Sequence, residues 1–116
     1  MTYNKLFSTA VRIRKKLDPS GASALRGQCF TATEDLAFAL LDLGADDVTI
    51  LENPTHCFLC CSGYFIDVTC RQFDNRLPAV KMFKFDEFDW TTAPSYWKYH
   101  RVEAIYLDGT RKLLHS

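Results

Sequence analysis

Three side chains have the types and chain order of a nucleophilic amide-cleaving centre: Cys29, His56 and Asp67. In such a centre a thiolate attacks and an imidazole moves the proton. A carboxylate holds the imidazole in one tautomer and stabilises its charged form. Cys29 opens a strongly apolar helical pattern, where unpaired backbone N–H groups and the positive end of the macrodipole favour thiolate over thiol. The same position suits a small core residue, because free cysteine is among the most buried residue types. His56 follows Pro54-Thr55 and starts an apolar strand, while Asp67 interrupts the apolar run Phe65-Ile66-Asp67-Val68. A carboxylate there needs a partner if it is even half buried.

Whether His56 can be that partner depends on one turn. If Ser62-Gly63 is a two-residue hairpin loop, Cys61 faces Tyr64, and His56 and Phe58 face Thr69 and Asp67. Asp67 is then the diagonal neighbour of His56 on the same sheet face, within reach of a side-chain hydrogen bond. A loop one residue longer or shorter sends Asp67 to the opposite face.

The elements that must position these groups follow from periodicity. Leu6, Phe7, Ala10, Val11 and Leu17 recur at helical spacing, with Arg12, Lys15 and Lys16 between them as a solvated basic face. Asp18-Pro19-Ser20-Gly21 ends that helix. A second helix is expected over 29–43, with Thr31 and Glu34 at capping-box spacing and Gly44 as its stop. Its apolar face runs through Cys29, Ala32, Leu36, Leu40 and Leu43, flanked by Phe30, Ala37 and Leu41. Strands are expected over 47–51, 56–61, 64–70, 80–85, 102–107 and 111–114. Helix, buried helix, then antiparallel strands describes a single α+β domain spanning 1–116, with its helices on one face of the sheet.

Gly27-Gln28-Cys29 opening an apolar helix, a strand beginning at His56, and Gly63-Tyr64-Phe65-Ile66-Asp67-Val68-Thr69 followed by Gln72-Phe73 resemble the core of papain-like and transglutaminase-like cysteine enzymes. Those enzymes carry a Cys at a helix N-terminus, a His on a strand and an Asp or Asn on the next strand, in this chain order. The stretch from Tyr64 to Phe73 is similar to the segment around the third triad member in bacterial papain-fold toxins, transglutaminase-like proteins and host-directed glutamine deamidases. The resemblance covers residues 25–75. It implies a papain-like core and acyl chemistry at an amide of a protein substrate, with no cofactor. Cys29 is then the nucleophile, His56 the base and Asp67 its orienter. Papain-type proteases place an oxyanion-hole Gln six residues before the nucleophile, where this chain has Ser23; its nearest Gln is Gln28. The hole is then built from the Cys29 backbone N–H and another donor, or Gln28 contributes differently.

Other constellations compete. His56, Cys57, Cys60, Cys61 and Cys70 invite a zinc reading through the two-residue gap between Cys57 and Cys60. An extended strand points Cys57 and Cys61 one way and Cys60 the other, which opposes chelation and suits four small core residues. His100 could replace His56 as the base, although alternation puts Glu103 on the other face. The aromatic region around Phe88, Trp90, Tyr96 and Trp97 reads as core, with the two tryptophans beside Pro94 best suited to exposure.

Composition limits the partners. The 116 residues are 47% hydrophobic and carry 14 basic against 14 acidic side chains, a balance unsuited to gripping a phosphate backbone. Charge is nonetheless sorted: residues 1–28 hold six basic and one acidic side chain, residues 29–58 none and six, residues 59–116 eight and seven. No apolar run approaches the length of a membrane span, and no signal peptide is visible. Five cysteines, four of them clustered amid apolar neighbours, do not form a disulfide framework. A reducing, cytoplasmic setting is expected. A non-catalytic protein-binding module on the same scaffold is the alternative function. Substrate and oligomeric state are not written in the sequence.

Overall fold

A computed structural model describes residues 1–84, 86, 102–106 and 108–115. Among these described residues two helices, α1 (Tyr3–Leu17) and α2 (Cys29–Asp42), precede six strands: β1 (Thr49–Asn53), β2 (His56–Cys61), β3 (Tyr64–Asp67), β4 (Lys81–Lys84), β5 (Val102–Ile105) and β6 (Arg111–His115). The strands form one antiparallel sheet in the order β4-β3-β2-β1-β5-β6, so the architecture is α+β. None of the described helices is long and apolar enough to cross a membrane.

α1 packs on α2, which lies against β2 and β1. Leu6, Ala10, Ile13, Ala32, Leu36 and Leu40 fill the space between helices and sheet with Leu59, Cys61 and Ile66. The alternate residues of the strands, Leu51, Phe58, Phe65, Val102 and Ala104, build a second cluster with Cys70 from the segment after β3. Strands buried on both faces explain why β2 reads as an unbroken apolar run, His56 apart.

Both helices present a face slightly rotated from expectation. In α1 the buried side is Leu6, Thr9, Ala10, Ile13 and Arg14, whereas Phe7 is exposed and stacks on Tyr3. In α2, Ala32, Leu36 and Leu40 are buried as expected, but Phe30 and Leu43 are exposed. The capping box does not form: α2 starts at Cys29 with Gln28 at the N-cap position, making no side-chain capping bond, so Thr31 already lies inside the helix. The strand expected over 64–70 also ends early. Asp67 Oδ1 accepts the Thr69 N–H at 3.0 Å, a local turn that takes the chain out of the ladder and into a 3-10 turn at Cys70–Gln72. The aromatic region and His100 lie outside the described residues.

Candidate active site

The β2–β3 hairpin sets the geometry. Ser62 (φ 52°) and Gly63 (φ 81°) both adopt the left-handed conformation that suits a two-residue hairpin turn. Cys61 pairs with Tyr64, Cys60 with Phe65 and Leu59 with Ile66, which is the register expected from the sequence. His56, Phe58, Phe65 and Asp67 therefore share a face. His56 stacks on Phe58 at 5.8 Å, and its Nε2 lies 2.7 Å from Asp67 Oδ2. Both side chains are fully buried.

A second hairpin, with Pro54-Thr55 between Asn53 and His56, starts β2 at the histidine. Asn53 Oδ1 accepts from the Thr55 N–H (2.9 Å) and hydroxyl (3.1 Å), which fixes that turn. One helical turn past Cys29, the Thr33 hydroxyl donates to the Cys57 carbonyl at 3.3 Å. This bond pins the start of α2 to the start of β2 and brings Cys29 beside His56.

The half-buried Cys29 thiol interacts with the His56 imidazole, and its pKa is lowered. The neighbouring imidazole lowers it most; burial opposes this, and the imidazolium charge and the backbone N–H groups of Cys57 and Phe30 add to the lowering. On His56, burial works against the charged form but is outweighed by the bonds to Asp67 and Cys29, and the pKa rises to about 9. The two shifts together favour a thiolate–imidazolium pair over thiol and neutral imidazole. The other four cysteines move oppositely. Burial drives Cys57 to about 12 and Cys60, Cys61 and Cys70 to about 11.

A ring of supporting bonds surrounds the imidazole. Gln72 Nε2 lies 3.3 Å from His56 Nδ1 and donates to Thr69 Oγ1 at 3.2 Å. Thr69, completely buried, is already tied to Asp67 through its N–H. The Phe73 ring meets the imidazole edge-on at 4.8 Å. The Gln72 amide suits either state of Nδ1, donating to the neutral ring or, rotated, accepting from the protonated one.

Arg14 is a supporting residue that the helical pattern did not single out. It is 4% exposed and donates to Val68 O at 2.6 Å, to Asp18 Oδ2 at 3.2 Å and to Ser23 O. It thereby fastens the residue after Asp67 and the segment leading into Cys29 to the same helix. Its signal was present: position 14 is in phase with Leu6 and Ala10, and Asp18 follows at the spacing of a helical ion pair.

Gln28 is exposed at the N-cap of α2, its backbone N–H donating to Leu25 O at 3.1 Å. Cys57, Cys60, Cys61 and Cys70 are dispersed over both sheet faces and the loop after β3. Among the described residues no three His, Cys, Asp or Glu side chains gather as a metal site. Comparisons with protein-family models, curated proteins and solved structures find no match for this chain.

Proposed function

We propose that this protein is a cysteine-dependent amide hydrolase or acyltransferase acting on a protein substrate, with a papain-like or transglutaminase-like core. One observation carries the reading: the His56 imidazole, held at 2.7 Å by a fully buried Asp67, is the neighbour that most lowers the pKa of the half-buried Cys29 thiol. The Cys29 thiolate attacks the substrate carbonyl, and its electron pair forms the C–S bond. His56 delivers its proton to the departing nitrogen, leaving a thioester. Water, deprotonated by the now neutral His56, or an amine of a second substrate then resolves the thioester and frees the thiolate. Asp67 keeps the ring oriented throughout and offsets its positive charge.

The developing oxyanion is bound by the Cys29 backbone N–H in the first turn of α2, where no intrahelical acceptor exists. Gln28, the exposed residue next to the nucleophile, is our candidate for the second donor. Cys29 stands between exposed Gln28 and Phe30 at the start of α2, an open setting that suits an amide presented on an exposed side chain, as in glutamine deamidation. The dependence on a free thiol fits work in a reducing compartment such as the cytoplasm.

The test uses a glutamine-rich protein such as casein, followed for ammonia release, new N-termini and hydroxamate formation with added hydroxylamine, which captures a thioester. Turnover that disappears in both Cys29→Ala and His56→Ala is expected. Turnover, or any biological effect of the protein, that persists undiminished in Cys29→Ala refutes catalysis and leaves the protein-binding alternative.

A further inference from the structure

An open groove of about 510 Å³ lies beside the imidazole. It shares two walls with the site, Gln72 and Phe73, both of which contact His56. Part of its opposite wall is the segment leading into the nucleophile, ending at Arg26, three residues before Cys29. Arg26, Arg71 and Arg76 line this groove against one carboxylate, Asp74. Asp74 is taken by Arg76 at 2.8 Å, a pairing that accounts for its pKa falling to about 2. Arg71 is held differently: Nε donates to Leu77 O at 2.8 Å and Nη1 to Gly21 O at 3.3 Å. Main-chain carbonyls orient a guanidinium without neutralising it. Among the described residues no carboxylate forms an ion pair with Arg26 or Arg71. Among the described residues the groove thus holds two cations without an ion-paired carboxylate, one of them preoriented, beside the two side chains that contact His56.

We propose that this groove is a substrate subsite for a carboxylate side chain, a Glu or Asp flanking the attacked amide; the proposal rests on the cysteine-enzyme reading of the Cys29 site. Guanidinium groups favour carboxylates because their planar forks match two oxygens at once. An acidic neighbour seated between Arg26 and Arg71 would hold the target amide over Cys29 and turn away substrates with basic flanks.

The test compares alkylation of Cys29 in the intact protein by N-iodoacetyl-Glu, N-iodoacetyl-Gln and N-iodoacetyl-Lys amides, with iodoacetamide as the uncharged reference. The Glu probe should react about three- to fivefold faster than the Gln probe at low salt, the size expected for partly exposed charge pairs, and the Lys probe slowest. High salt should remove most of the preference. Arg26→Gln alters only an exposed side chain and should reduce the preference. Arg71→Gln should reduce it further, with Arg71→Lys restoring part. A Glu preference unchanged in both Gln variants assigns it to the His56 imidazolium and overturns the subsite. Equal rates for all probes, with iodoacetamide still selective for Cys29, overturn the subsite and leave the cysteine-enzyme reading standing. Loss of iodoacetamide selectivity for Cys29 overturns both.

Discussion

Alkylation by limiting iodoacetamide should single out Cys29 among five free thiols. The margin can be worked from the structure. A thiol with a pKa near 11, as for Cys60, Cys61 and Cys70, is ~0.01% thiolate at pH 7, and Cys57 is about tenfold lower. A cysteine at the reference value of 9.0, from which Cys29 is lowered, is ~1% thiolate at the same pH, so Cys29 holds at least ~100 times more reactive anion even before its own lowering is counted. Less basic thiolates are poorer nucleophiles, and a Brønsted slope of ~0.45 over ~2 units returns about an eightfold factor to the others. A net advantage of roughly tenfold or more remains, and burial widens it for every competitor except the partly exposed Cys60. Mass spectrometry of tryptic peptides across a pH series from 5 to 9 measures this directly. The Cys29 rate should reach its plateau below the pH at which an ordinary thiol ionises. Asp67→Asn, which removes the charge stabilising the imidazolium, should push that inflection upward. Labelling shared between Cys29 and Cys60 within a factor of about three, or a Cys29 profile that Asp67→Asn leaves unmoved, refutes the ion pair that the reasoning requires.

Stability against pH offers an independent check. The raised pKa of His56 contributes stability that is fully present below ~6.5 and is lost as pH rises through about 9, whereas the lowered pKa of Cys29 contributes stability present above ~8.5 and lost as pH falls. The two slopes oppose each other near neutrality, so urea unfolding of the wild type should be nearly flat between pH 6.5 and 8.5, while Cys29→Ala should lose stability across that range. Arg14→Met removes three bonds and leaves Asp18 only the Ser23 N–H and the Ser20 hydroxyl; unfolding curves should show a clear loss of stability, partly recovered in the Arg14→Met, Asp18→Leu double variant. The single variant should also slow Cys29 labelling, because Arg14 anchors both the residue after Asp67 and the segment before Cys29.

What could be read from the sequence was local. The β2–β3 register follows from a two-residue turn whose residues tolerate positive φ, and strand parity then carries His56 and Asp67 to one face. Gly44 and the Asp18-Pro19 boundary likewise mark helix ends through backbone preferences alone. The groups that were missed depend on distant partners. Arg14 bonds a carbonyl 54 residues away; its phase with Leu6 and Ala10 turns it inward, but nothing within α1 names that partner. Gln72 reaches back 16 residues to His56 only because Asp67 first turns the chain out of the sheet. The overlooked capping geometry has the same origin: contacts to β2, through Thr33 and Cys57, and not a side-chain cap, fix where α2 begins.

The cost of this arrangement bears on its purpose. A buried imidazole–carboxylate pair adds little net stability over well-packed apolar residues of similar volume, because desolvation consumes most of its attraction. His56 and Asp67 stand on the sheet face that Phe58 and Phe65 otherwise fill, and a leucine at either position would extend that cluster. Thr69 and Gln72 are then needed to satisfy the polar groups that the pair introduces. Stability alone gives no reason to build such a network. An assembly that is neutral or costly for folding, closed around one half-buried thiol whose ionisation it favours, is what a nucleophilic site demands of its surroundings.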